Sequence, residues 1–237
     1  MSGRRFVDED LRGARFDRCL LSGAVLRGVD VGGMEIDSPW LTEPGGTLVV
    51  NGVDVVAYVD AELDRRFPGR ALRRAADPDA LREAWTAVER AWRATCERAA
   101  ALPPGAVDES VAGEWSFSQT LRHLVMATDV WLRRAVLGVE EPFHPLGQPH
   151  AEYVTDGFDV SVFAPGVPAY ADVLAARADR MSIVRGFIGT VTPELLAETR
   201  ENPWAPGHAE TVLSCLQTIL EEEWEHHRYA VRDLGRR

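Results

Sequence analysis

EWSFSQTLRHLVMATDVWL, Glu114 to Leu132, decides the fold. Ser116 and Gln119 stand three residues apart at its head, the spacing of a capping box, in which two side chains satisfy the amides that a helix start leaves open. Leu121, Leu124, Val125, Val130, Trp131 and Leu132 then return at helical spacing before Gly138 ends the run. The stretch reads as a helix with one buried face. Three more runs of this kind surround it. Asp77-Pro78 gives an N-cap and a first-turn proline to a run through Leu81, Trp85, Val88, Trp92, Cys96 and Ala99 as far as Leu102, stopped by Pro103-Pro104-Gly105. A third extends from Ala169 to Ile188 with Leu174, Met181, Val184 and Ile188 on one side. The fourth begins near Glu210 and carries Leu213, Leu216, Leu220, Val231 and Leu234.

Between the second and third runs lies VEEPFHPLGQPHAEYVTDGFDVSVFAPGVP, Val139 to Pro168, rich in proline and glycine and without helical period. Short loops join antiparallel neighbours, whereas a crossover of this length lets consecutive helices run parallel. The expectation is a mainly α fold, a four-helix bundle with at least one long crossover, whose loop is long enough to be functional.

Upstream, a large apolar residue recurs every fifth position: Phe6, Leu11, Phe16, Leu21, Leu26, Val31, Ile36. Ala14, Cys19, Ala24, Val29 and Met34 stand two before most of these. Neither a helical nor a strand period explains the pattern, and a fixed period is the mark of a solenoid. Seven repeats are too few to hide their own core, since stacked repeats stabilise through neighbours. Then comes LVVNGVDV, Leu48 to Val55, where Asn51-Gly52 between β-branched residues signals a hairpin, followed by a helix from Val55 to Arg66 ended at Phe67-Pro68-Gly69. The expected division is residues 1–45, the repeats; 46–74, hairpin and connecting helix; and 75–237, the bundle.

The composition, 46% hydrophobic and 27% charged over 237 residues, is that of an ordinary globular chain, and 26 Lys and Arg against 37 Asp and Glu give a formal charge of -11. Such a charge repels a phosphate backbone, so no nucleic-acid partner is expected. No window approaches the roughly 20 apolar residues of a membrane span, and a cytoplasmic location is expected. Three scattered cysteines, Cys19, Cys96 and Cys215, suit a reducing compartment and read as small buried hydrophobes.

ILEEEWEHHRYAV, Ile219 to Val231, carries the chemistry. The leucine stripe of the fourth helix extends at steps of three and four to Glu223, His227 and Val231, so Glu223 and His227 should point inward together. A buried carboxylate needs a partner. His123, among apolar residues of the second helix, should face inward too, and His123, Glu223 and His227 make a ligand set for Zn²⁺ or another divalent ion with a position left open. The alternative is that Glu223 pairs with an arginine and His227 is a satisfied core histidine. Glu222 and His226 form a second pair four apart, off the stripe, which a small helix rotation would exchange for the first. Glu222 and Glu225 are also candidates to support a ligand imidazole, and His144 and His150 to line the mouth.

EWSFSQTLRHLVMATDVWL, with EEWEHHRYAVRDL from Glu222 to Leu234, resembles the DinB superfamily of four-helix metalloproteins, and LRGARFDRCLLSGAVLRG, Leu11 to Gly28, resembles the pentapeptide-repeat family of right-handed β-helices; together they are similar to an actinobacterial branch of the former. The resemblance implies a metal, Zn²⁺ or Ni²⁺, held by a histidine of the second helix and a His-x-x-x-His pair of the fourth. His123 matches the first and His227 the last, with Glu223 in place of the middle histidine. It also implies a thiol S-transferase that uses a low-molecular-weight thiol such as mycothiol against an electrophilic small molecule. A noncatalytic, metal-stabilised assembly module is the competing expectation. In it the repeats serve as the docking surface, and the open end of so short a solenoid suits a homodimer.

Overall fold

The computed structural model describes residues 4–43, 45–205 and 207–236. They belong to two compact units that divide between Ser38 and Pro39.

In the first unit the five-residue period is written into the backbone. Asp8, Gly13, Arg18, Gly23, Gly28 and Gly33 all adopt positive φ, one at every fifth position. Turns recur every tenth, with the amides of Ala14, Ala24 and Met34 donating to the carbonyls of Leu11, Leu21 and Val31. No strand forms among residues 4–38. The segment thus shows the five-residue turn period of the expected coil without the strands of a β-helix ladder. Fewer than two coils give its backbone little neighbouring chain with which to build a ladder.

The second unit opens with β1 (Val49–Val50) and β2 (Val53–Asp54), paired antiparallel across Asn51-Gly52. The φ values of 51° and 84° at these two residues are what a two-residue hairpin turn of the primed kind requires. α1 (Val56–Arg66) leads to Gly69, whose φ is 103° and where a Cβ would meet the Ala87 Cβ at 2.7 Å; only glycine makes that turn. A 3₁₀ turn, Arg70–Arg74, follows. Its Arg70 and Arg73 are buried: Arg70 Nη1 donates to Asp60 and Asp64 at 2.8 and 2.6 Å, and Arg73 lies 3.0 Å from Glu221, so charge joins α1 to the last helix.

Four long helices form the bundle: α2 (Pro78–Ala100), α3 (Phe117–Thr128), α4 (Tyr170–Thr190) and, after the short α5 (Pro193–Ala197) and the hairpin β3 (Thr199–Glu201) with β4 (Ala209–Thr211), α6 (Val212–Leu234). Asp77 caps α2 through the amides of Asp79 and Ala80, and the Ser116–Gln119 capping box starts α3, as the sequence foretold. α2 and α3 each pack on both α4 and α6. Phe117 at the start of α3 meets Tyr170 at the start of α4, and Asp129 beyond the end of α3 meets Arg180 in the middle of α4, so these consecutive helices run parallel. α2 and α6 run parallel too: Gln217 of α6 donates to the Ala75 carbonyl just ahead of α2, and His227 meets Thr95 further along both. Leu81, Trp85, Leu121, Leu124, Val184, Ile188, Leu216 and Leu220 fill the core between them.

α3 continues into a π-helical turn, Asp129–Arg134. Asp129 is fully buried and accepts from Arg180 Nε at 2.6 Å, from Arg133 at 3.2 Å and from the backbone amide of His144 at 2.8 Å. One carboxylate thus ties α4 and the crossover loop to the end of α3. Removing one partner of a buried charge network leaves the others uncompensated. We expect Asp129→Ala to lose about 3–5 kcal/mol of stability in urea unfolding.

Candidate metal centre

α6 buries two adjacent lines of residues, and its polar members have different surroundings. Glu223, 1% exposed, receives a close charged hydrogen bond from Arg177 Nη2 of α4, whose guanidinium also lies 5.8 Å from the Trp92 ring. His227 Nε2 meets the Thr95 hydroxyl at 2.9 Å, and its ring is enclosed by Phe67, Trp92 and Trp224 in edge contacts of 5.1 to 5.9 Å. Burial among these rings pulls the His227 pKa down to about 4, so it is neutral at neutral pH. Both residues face inward as their spacing foretold. The expected set His123, Glu223 and His227 nevertheless does not assemble: the interior at that level is occupied by a guanidinium and an aromatic shell.

The group that does assemble is His123, Glu222 and His226, one ligand atom from each lying within 4.8 Å of the others. It sits on the seam between α3 and α6, beside the core axis. The His123, His226 and Glu222 side chains are 11%, 16% and 32% exposed, so the group is sheltered yet reachable. Glu222 Oε2 is 3.4 Å from His123 Nε2 and 3.2 Å from His226 Nε2. Burial alone would raise the Glu222 carboxyl, but hydrogen bonds and charge from the two histidines hold it well below the usual carboxylate range. Burial lowers His226, against the pull of Glu222. Trp115, just before α3, stacks on His226 at 6.0 Å and tilts over His123 at 4.8 Å.

The crossover loop supplies what orients His123. Its Nδ1 is 3.0 Å from the backbone carbonyl of Gln148. A carbonyl only accepts, so Nδ1 carries the proton and Nε2 is directed at Glu222. Arg122 Nε fixes the same loop by donating to the Leu146 carbonyl at 2.9 Å. His144 is not a member of the group: its Nδ1 accepts from the Leu146 amide at 3.0 Å and its own amide is held by Asp129. Glu225, 8% exposed, pairs with Arg228 at 2.9 Å; its charge acts on His226, but it is not a member of the group.

A family model for the DinB superfamily matches residues 87–230, more than half of the chain, and its span contains all three members of the group. The chain belongs to the DinB superfamily. No curated protein and no solved structure gives a match. In this DinB chain the polar pair of α6 that meets His123 begins one residue earlier than the leucine stripe indicates. Arg177 carried the missing signal, because Val173, Arg177, Val184 and Ile188 lie along one side of α4 and place a cation on its buried face. The Gln148 carbonyl and the covering Trp115 left no sequence signal, since one is backbone and the other a loop aromatic.

Cysteine chemistry is poorly placed in this chain. Cys215 is buried, its thiol pushed up to about 11 by burial, and Cys96 is raised by the same cause. Cys19, contrary to expectation, is exposed.

His227 makes stability depend on pH with a definite sign. Its folded pKa, about 4, lies below the ordinary 6.5, so between these values the unfolded chain binds more protons. The contribution is complete above pH 6.5 and is lost as pH falls to 4, a total of about 3 kcal/mol. Denaturant unfolding of His227→Gln across this range should give a flatter profile than the wild type, both with chelator present.

Proposed function

We propose that the chain is a metal-dependent thiol S-transferase of the DinB type, in which His123, Glu222 and His226 hold a divalent cation, Zn²⁺ or Ni²⁺, that activates a mycothiol-like thiol toward an electrophilic small molecule. The orientation of His123 carries this reading. A metal-binding histidine donates its second ring N–H to a carbonyl or carboxylate, which fixes the ring and its tautomer, and the Gln148 carbonyl plays that part. The spacings agree. Ligands about 2.0–2.1 Å from a tetrahedral ion stand about 3.3 Å apart, close to the two Glu222 to histidine distances. Such a cation, when bound, makes a coordinated thiol a thiolate at neutral pH.

The chain's own residues account for the rest. Glu222 brings the negative charge, and burial of His226 favours the neutral form of the ring, the form that binds a cation. Trp115 shields both imidazoles from bulk water, which strengthens electrostatic attraction at the group. Arg177 holds Glu223 out of reach, leaving Glu222 as the single carboxylate of the set. No protein nucleophile is needed, which suits the raised thiols of Cys96 and Cys215.

Elemental analysis tests the assignment. Wild-type protein should retain an equimolar divalent metal, His123→Ala and His226→Ala should lose it together with any conjugation of mycothiol to electrophiles, and His227→Gln should keep both. Metal-free wild type, or a His226→Ala protein with full metal, would refute it.

The first unit favours a second reading, a noncatalytic assembly module. We infer that residues 4–38 form a pentapeptide-repeat coil of the right-handed β-helix kind, supported by the positive φ at every fifth residue. Its seven periodic apolar side chains are each 46% to 56% exposed, a uniform stripe suited to a second copy of the chain. A homodimer that becomes monomeric in size-exclusion chromatography when residues 1–45 are deleted would support this reading, and an unchanged association state would exclude it.

A further inference from the structure

Apart from the metal group, a cavity of about 320 Å³ is lined by His150, Asp156, Phe158 and Trp204. Its rings stand steeply to one another. Trp204 makes 88° with His150 at 5.3 Å and 68° with Phe158 at 4.9 Å. Steep, edge-to-face pairs set these rings at an angle to one another, so they line the recess from different sides rather than lie stacked flat. The corner is rigidly backed: Tyr153 is buried and meets Trp204 at 6.1 Å, and Met126 and Val130 belong to the same apolar cluster. Asn202 fixes Trp204 from the other side, its Oδ1 accepting the amides of Trp204 and Ala205 at 2.8 and 3.0 Å.

At the rim stands Asp156, 53% exposed, its carboxylate 3.5 Å from His150 Nε2. That distance is long for a hydrogen bond, so the carboxylate keeps its acceptor capacity. Aromatic faces are the negative ends of their quadrupoles, and beside a carboxylate they form a recess selective for positive charge. The formal charge of -11 on the chain works in the same direction. Among the lining side chains acceptors come from Asp156 and His150 on one side alone, whereas a primary ammonium has three donors to satisfy once it surrenders its water. A cation whose charge is spread over methyl groups surrenders little. The volume lies at the lower end of the roughly 300–1,000 Å³ typical of small-molecule sites.

We propose that this cavity is a binding site for a small quaternary ammonium compound, with Trp204, Phe158 and His150 as the aromatic walls and Asp156 as the counter-charge. The site does not rest on the metal assignment, since none of its residues belongs to the His123, Glu222 and His226 group. It does share the crossover loop with that group, because His150 follows two residues after Gln148, whose carbonyl orients His123.

Isothermal titration of the full chain with choline chloride tests the proposal. The control is the uncharged isostere in which a tert-butyl group replaces the trimethylammonium, at matched ionic strength. Choline should bind about tenfold or more tighter than the isostere. Asp156→Asn and Trp204→Leu should each weaken choline about tenfold, and Asp156→Asn should leave the weak binding of the isostere unchanged. Equal affinity for the two compounds, no choline binding, or choline binding indifferent to Asp156→Asn would overturn it. Asp156 is a surface residue, so Asp156→Asn remains decisive even if Trp204→Leu fails to fold.

Discussion

A carboxylate withdrawn from water must be met by positive charge or by donors, because the cost of burying it alone is several kcal/mol. α6 carries two such groups in succession, and the architecture around it follows from how each is met. Glu223 lies on the bundle axis and is answered from α4, where Arg177 displaces an apolar side chain from the buried face. Glu222 lies one position around the helix, on the seam with α3, and is answered by two imidazoles that still leave it partly open to solvent. The first arrangement is closed and structural. The second has the partial access that a bound ion needs if it is to meet a substrate.

The same economy of charge governs the crossover. A long irregular segment would ordinarily wander, since it lacks a ladder or helix to satisfy its backbone. Here α3 and its π-helical continuation satisfy much of it: Asp129 takes the His144 amide, Arg133 reaches the Pro142 carbonyl, Arg122 takes the Leu146 carbonyl and His123 the Gln148 carbonyl. The π-helical turn at Asp129 sits at the head of this series, where a widened turn shifts the side chains beyond it relative to the helix before it.

Much of the helical architecture was legible in the sequence because apolar period and capping residues act locally. Ser116 and Gln119 determine the start of α3 without help from elsewhere, and Asp77-Pro78 does so for α2. The buried arginines of the 70–74 turn were not legible, since their justification is Asp60, Asp64 and Glu221 in distant segments. At the site, inward direction was readable and partnership was not. Glu223 and His227 point where the leucine stripe sends them, but a stripe of side chains carries no information about which neighbour awaits each one. A shift of about 100° around a helix separates adjacent residues, and that was enough to exchange a structural pair for the candidate ligands.

Parallel packing of α3 and α4 obliges the chain to travel back along the outside of the bundle before α4 can begin. The returning segment is therefore placed by topology, while its course is set by a few anchors on α3. Those anchors take hold of carbonyls and amides, which every residue but proline can present in full, so the amino acids between them are largely free to vary. A scaffold so arranged can acquire a different wall around an unchanged His123, Glu222 and His226 group by rewriting one connection.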